Sequence, residues 1–173
     1  QLIAVALDAQ GNQLEATEVQ IPFLLDDLYA DAAADAEFGA TFDGGVPTLS
    51  VWAPTARMVT ANIYDQADDT TPSANVPLSY DAVPGIWSVT GDVSWDRRYY
   101  TYTVNVYAPG AGAVIDNVTT DPYSLNVTLG SSPNRLAKTQ IVNMDDADLK
   151  PEGWDALVKP PLAAPEDIVV YEL

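Results

Sequence analysis

Tyr99-Tyr100-Thr101-Tyr102-Thr103-Val104-Asn105-Val106-Tyr107 is the stretch that decides the fold class. In an extended chain, Tyr100, Tyr102, Val104 and Val106 share one side, opposite Tyr99, Thr101, Thr103 and Asn105. The stretch is rich in β-branched and aromatic side chains, so it reads as a strand with one face in a core. Pro109-Gly110-Ala111-Gly112 then turns the chain back into Ala113 to Thr119. Toward the N-terminus the same texture repeats. Phe38 to Phe42 is one strand, and Asp43-Gly44-Gly45 turns it into Thr48 to Ala53. Arg57 to Tyr64 alternates Val59, Ala61 and Ile63 against Met58, Thr60 and Asn62. After a polar loop, Val76 to Tyr80 and Ile86 to Thr90 are joined through Asp81-Ala82-Val83-Pro84-Gly85, and Gln140 to Met144 is the last strand. Many short strands divided by turn residues predict a mainly β, antiparallel sandwich.

The flanks differ. Residues 2–21 read as two strands around Asp8-Ala9-Gln10-Gly11-Asn12, where Gly11 and Asn12 tolerate the positive φ of a tight turn. A lone hairpin is marginally stable, so it is expected to complete a sheet of an upstream domain. Pro22 opens a helical stretch with Leu24, Leu25, Leu28, Tyr29 and Ala32 on one side and Asp26, Asp27, Asp31 and Asp35 on the other. An irregular segment around Trp154 leads to the proline-rich Lys159-Pro160-Pro161-Leu162-Ala163-Ala164-Pro165, a boundary composition. Gln1 to Asp8 and Ile168 to Leu173 both read as strand interiors, so the chain is expected to be a piece of a longer polypeptide.

Composition removes whole classes of function. The 173 residues fit one domain plus an appendage. With no His and no Cys, there is no Ser-His-Asp triad, thiolate nucleophile, disulfide framework or zinc site of the usual ligands. Twenty-five acidic against seven basic side chains give a net charge of −18, which argues against nucleic acid and anionic membranes. No apolar run is long enough to span a bilayer. Carboxylate chemistry, calcium binding, recognition of a neutral ligand or a structural role remain. Nine acids precede the first basic residue, Arg57. That block is read first as a solvated face, second as a surface suited to salt, and third as a calcium site. Asp65/Asp68/Asp69 and Asp145/Asp146/Asp148 lack the ligand spacing and central Gly of an EF-hand loop.

Five motifs in order then carry a resemblance. They are Val51-Trp52-Ala53-Pro54-Thr55-Ala56, Val59 with Ile63-Tyr64, Tyr100-Thr101-Tyr102-Thr103-Val104, Thr120-Asp121-Pro122-Tyr123, and Leu149-Lys150-Pro151-Glu152-Gly153-Trp154-Asp155. Together they resemble the module that precedes the catalytic barrel of bacterial pullulanases, an immunoglobulin-like early-set sandwich of carbohydrate-binding module family 48. Asp167 to Leu173 resembles the first strand of the (β/α)8 barrel of glycoside hydrolase family 13. The resemblance divides the chain into the end of an upstream β domain (1–22), a linker helix (23–37), the sandwich (38–148), a linker packing on the catalytic domain (149–166) and the barrel's start (167–173).

The resemblance implies a parent that hydrolyses α-1,6 branch linkages in pullulan, amylopectin or limit dextrins. Such retaining hydrolysis uses a carboxylate nucleophile and a carboxylic acid of raised pKa. In the family these lie beyond Leu173, so no catalytic residue is assigned here, and no cofactor or metal ligand either. Calcium is left to the parent enzyme. The implied partners are the chain's own catalytic barrel and, through the parent, an α-glucan; the implied location is secreted or cell-surface. Glucan-binding relatives carry one Trp after the strand equivalent to Ala61 to Tyr64, a second after that equivalent to Tyr100 to Val106, and a Lys on the latter strand. Here those places hold Asp65-Gln66-Ala67-Asp68, Gly110-Ala111-Gly112-Ala113 and Thr101. Glucan binding by the module is therefore expected to be weak or lost. A functional starch-binding module is the alternative, and an immunoglobulin-like adhesion or spacer domain a second one.

The individual aromatics are placed accordingly. Trp52, Trp87, Tyr100 and Tyr102 are expected in the core. Trp95, in a loop before Arg97-Arg98, is the candidate sugar contact. Asp121, Tyr123 and Trp154 are candidates for the interface with the barrel, where Asp121-Pro122-Tyr123 reads as a turn with the Asp side chain capping local backbone. Asn117-Val118-Thr119 and Asn126-Val127-Thr128 fit the N-glycosylation pattern, a triplet that chance produces often.

Overall fold

The computed structural model describes residues 3–18, 22–128, 136–164, 166 and 168–170, and the chain divides into two units, Gln1–Asn143 and Met144–Leu173. The first unit opens with a hairpin of β1 (Ile3–Leu7) and β2 (Gln13–Glu18). Its turn is closed by Asp8, whose carboxylate accepts from the backbone N–H of Gln10 and Asn12 at 2.9 and 2.8 Å and from the Asn12 amide at 2.9 Å. Those bonds hold the Asp8 carboxyl below its ordinary value, the Asn12 side chain first among them. Gly11 supplies the positive φ of +84°. Val5, Leu7 and Leu14 of this hairpin are exposed.

Helix α1 (Pro22–Ala33) follows, with Pro22 at its first position, where a missing N–H costs nothing. Only part of the expected apolar side is covered. Tyr29 is buried and Leu24 and Leu25 are half-buried, but Leu28 and Ala32 stay exposed.

Nine strands then build two antiparallel sheets. β3 (Gly39–Asp43), β4 (Val46–Trp52), β8 (Ile86–Thr90) and β7 (Ser79–Asp81) form one in that order. β10 (Ala113–Thr119), β9 (Tyr99–Ala108), β5 (Met58–Tyr64) and β6 (Ala74–Pro77) form the other. The short β11 (Thr139–Gln140) continues the β9 edge where β10 ends, pairing Thr139 with Tyr100. This is the predicted sandwich, and the strand Tyr99 to Tyr107 is central to its larger sheet.

Period-2 alternation fills the space between the sheets. Leu49 and Val51 of β4, Val59, Ala61 and Ile63 of β5, Trp87 of β8, and Tyr100 and Tyr102 of β9 form one buried cluster with Leu78 and Ile141. Burial of such side chains is worth about 1.5–3 kcal/mol each before entropy is counted. The Trp87 indole N–H donates to the Ala53 carbonyl at 3.0 Å, so its polar atom is satisfied.

Three expectations need correction. Val76 to Tyr80 is two strands, because buried Leu78 crosses between the sheets and its N–H donates to the Val59 carbonyl at 2.9 Å. β6 therefore edges one sheet and β7 the other. Gln140 to Met144 keeps ladder pairing only at its start. Beyond Gln140, Ile141 exchanges backbone bonds with the Trp95–Arg98 loop, in which Arg97 adopts a left-handed φ of +64°. Trp52 is not in the inter-sheet core. Strand parity turns it outward with Ser50, where it meets Tyr29 of α1 edge-on at 6.4 Å and donates to the Pro84 carbonyl at 3.0 Å. Gly85 makes that junction fit: its φ is +72°, and a Cβ there would come within 2.7 Å of Pro54 and 3.1 Å of the Tyr29 ring.

The second unit has two short 3-10 turns, Ala147–Leu149 and Trp154–Ala156. Lys150 bridges to Asp155 at 3.1 Å and to Asp145 at 3.9 Å. Ile168, Val169 and Val170 are exposed and belong to no strand among the described residues. The remainder of the expected barrel strand, Asp167 and Tyr171 to Leu173, lies outside the described residues.

Candidate functional site

Two clusters concentrate polar and aromatic chemistry. The first is the outer face of the five-stranded sheet. On β5 and β9 the residues opposite in parity to the core include Asn62, Tyr64, Tyr99, Thr101, Thr103 and Tyr107. The Asn62 amide donates to the Thr101 and Thr103 hydroxyls at 3.2 and 2.8 Å, and the Tyr64 hydroxyl lies 3.5 Å from Thr101 Oγ1. Lys138 places Nζ 4.7 Å from the Tyr64 ring centroid, a cation–π geometry, and donates to the Ala67 carbonyl at 2.7 Å. Thr128 fixes its position: the Thr128 N–H donates to the Lys138 carbonyl, and the Lys138 N–H donates to Thr128 Oγ1, both at 2.9 Å. Tyr64 and Lys138 are both buried, at 9% and 5% exposure. The loop after Tyr64 is tied down as well: Asp65 Oδ1 meets Arg98 Nη1 at 3.0 Å and accepts from Ser73 Oγ at 3.0 Å.

These are the strands to which the resemblance assigned the sugar-binding positions. Tyr64, which shares this outward parity with the half-buried Tyr99 and Tyr107, offers no open plate to a pyranose, because a lysine from another segment caps it. Sequence reading noticed Thr101 but missed Lys138. Nothing in Ala137-Lys138-Thr139 marks this lysine as the one that folds back over a tyrosine 74 positions earlier.

The second cluster surrounds Asp121, 3% exposed at the end of β10. Its Oδ2 accepts the Tyr100 hydroxyl at 2.5 Å, and its Oδ1 accepts the Tyr123 N–H at 2.8 Å, an Asx turn through Pro122. Its own N–H donates to Thr139 Oγ1 at 3.2 Å, and Ser124 Oγ reaches both the Asp121 carbonyl and Thr139. Burial pushes the Asp121 carboxyl above its ordinary value, against the Tyr100 and Tyr123 hydrogen bonds, which pull it down. Burial also pushes both the Tyr100 and the Tyr102 hydroxyl far up. The Tyr102 hydroxyl is buried beside them without a hydrogen bond of sound geometry.

Asp121 thus holds the turn that presents Tyr123. Phe38 stacks on the Tyr123 ring at 4.6 Å and 16°. Gly39, at φ +80°, lets the backbones approach, since a Cβ there would lie 3.0 Å from the Tyr123 carbonyl oxygen. Tyr123, Leu125 and Val127 are exposed. The arrangement is a rigid buried carboxylate behind an apolar surface strip. Asp121 is the one carboxylate buried among the described residues. No three carboxylates among the described residues come close enough to hold a metal ion.

The remaining candidates stand apart. Trp95 is half-buried against the core, and its six-membered ring lies directly on Gly91, where a Cβ would fall 2.3 Å from Cε3. Trp87, Tyr100 and Tyr102 are core, as read. Trp154 belongs to the second unit and is 58% exposed.

Comparison with known proteins places these features. Residues 37–124 match carbohydrate-binding module 48, the isoamylase N-terminal domain. The chain is 39% identical over 175 residues to pullulanase 1, chloroplastic, of Arabidopsis thaliana, and 36% identical over 159 residues to the pullulanase of Klebsiella pneumoniae. These alignments cover 100% and 91% of the chain but only 17% and 14% of the relatives. Among solved structures, Klebsiella pneumoniae pullulanase complexed with maltotriose matches 90% of the chain with a TM-score of 0.71 at 36% identity, spanning 14% of that molecule. A Paenibacillus barengoltzii pullulanase mutant complexed with maltotriose matches 86% of this chain and 20% of that one, with a TM-score of 0.66 at 32% identity.

Proposed function

The chain belongs to the carbohydrate-binding module 48 family, and on that premise we propose that it is the non-catalytic sandwich of a pullulanase-type debranching enzyme. The parent would cleave α-1,6 linkages in pullulan, amylopectin and limit dextrins, with catalytic carboxylates supplied by segments outside this chain. The module's part is to support the catalytic domain. Its own binding of α-glucan is weak or lost. The observation that carries this reading is the closure of Tyr64 by Lys138 on the outer face of β5 and β9.

Asp121 and Tyr123 are the proposed docking point for the catalytic domain, with Trp154 serving from the second unit. A buried carboxylate that rigidifies a turn is well suited to presenting an exposed aromatic to a partner surface. A calcium ion, if the parent uses one, belongs to its other segments. Export to the medium or cell surface is proposed from the bacterial resemblance, while the chloroplastic relative favours an organelle in a plant source. Among the described residues no helix is long and apolar enough to cross a membrane. Active starch binding remains the second reading, favoured by the family's own description.

The docking point has a direct test in the full-length enzyme. Tyr123→Asp puts a charge on the strip and is expected to lower the inactivation temperature by a few degrees, with kcat/KM on pullulan unchanged well below that temperature. An unchanged inactivation temperature would remove Tyr123 from the interface.

A further inference from the structure

We propose that Lys138 is a latch: it fastens the loop of residues 65–73 beside the outer face of the larger sheet and keeps a pyranose-sized aromatic plate closed. This deepens the proposed function and rests on its premise that the face does not bind glucan as it stands. Three observations on different elements support it. Tyr64 ends β5 with its hydroxyl near Thr101, so its ring lies by the sheet instead of reaching into solvent. Lys138 approaches from the segment just before β11, far away in sequence, and covers that ring with Nζ 4.7 Å from the centroid. The same Nζ donates to the Ala67 carbonyl at 2.7 Å, which fastens the loop to the cation.

The closed surface has the composition of a sugar site. An aromatic ring can stack on the apolar side of a pyranose, while the Asn62 amide and the Thr101 and Thr103 hydroxyls offer bonds to sugar hydroxyls. At present those groups satisfy one another. The plate is closed by a long, flexible side chain at the outer face of the sheet and not by the apolar core, so opening need not unfold the sandwich. Ser73 ties the far end of the same loop to the Ile63 carbonyl and to Asp65, and the Arg98–Asp65 pair adds little, since both its side chains are partly exposed.

The test is Lys138→Met, which keeps length and apolar bulk while removing the charge and the donor. Amide exchange of residues 66–69 is expected to quicken about tenfold, the signature of a local opening, and the variant is expected to gain saturable binding of β-cyclodextrin. Adding Tyr64→Ala to that variant should abolish the gain. Lys138→Arg, which keeps a cation over the ring, should behave as the parent chain does. If the Met variant does not fold, Lys138→Gln serves, since its shorter amide also removes the charge and the bond to the Ala67 carbonyl and is expected to give the same rise in exchange. Unchanged exchange, or faster exchange without cyclodextrin binding, overturns the latch. Binding by the unaltered chain instead overturns the premise of a closed face.

Discussion

Trp87→Ala is expected to lower the unfolding free energy by about 3–5 kcal/mol, the usual cost of deleting a large aromatic from a packed core. Trp52→Ala is expected to cost only about 1–2 kcal/mol. The two tryptophans look alike in sequence, each on a strand and flanked by small or apolar residues. In the fold Trp87 stands between the sheets, stacked on Tyr80 at 4.8 Å and bonded to the Ala53 carbonyl. Its removal leaves a void lined by Leu49, Val51 and other core residues that cannot all collapse into it. Trp52 stands on the outer face, so its loss frees the Tyr29 edge contact and the Pro84 carbonyl, and water can replace both. Chemical denaturation of both variants checks this ranking. Equal losses would contradict the placement of Trp52 outside the core.

Tyr100→Phe is expected to cost about 2–3 kcal/mol, whereas Tyr102→Phe should be neutral or slightly stabilising. Both rings are fully buried, both hydroxyls lie near Asp121, and the substitution removes the same single oxygen. The difference is pairing. Tyr100 is the side-chain donor to Asp121 Oδ2, so its loss leaves a buried carboxylate with only the Tyr123 N–H. The Tyr102 hydroxyl has no bond of sound geometry to lose. The same node sets a pH dependence. Because burial raises the Asp121 pKa in the folded state, proton binding there favours folding. That contribution is present below the ordinary carboxylate pKa and is lost as pH rises through the folded value. Asp121→Asn removes it. Its amide can donate to the Tyr100 oxygen and free the Tyr100 proton for Tyr102. The variant should therefore gain on the parent chain as pH rises from the acid side toward neutrality, as thermal unfolding at several pH values would show.

The parts of the fold visible in the sequence were those set by local rules. Alternation marked β5 and β9, and Pro or Gly punctuation marked most strand ends, because side-chain parity and turn chemistry act between neighbours. Parity failed where tertiary contacts overrode it. Leu78 sits mid-run in sequence, yet it carries the chain from one sheet to the other, since what fixes it is the Val59 carbonyl on another strand. The helix pattern set Leu28 on the apolar side with Tyr29, but Leu28 stays exposed while Tyr29 is buried over Trp52 and Gly85. Asp121 and Tyr123 were legible as a turn because an Asx motif is local. The Tyr100 bond behind it was not, being set by how β9 and β10 pair. Lys138 is the extreme case: a lysine in a polar stretch gives no local sign that it will be buried on an aromatic ring.

The account turns on whether the outer face of β5 and β9 is closed. Calorimetric titration of the purified chain with β-cyclodextrin and maltoheptaose decides it. With Tyr64 capped by Lys138, no saturable heat is expected at millimolar ligand. Saturable binding in the micromolar range, lost on Tyr64→Ala or Trp95→Ala, would contradict the account and make this a working starch-binding module.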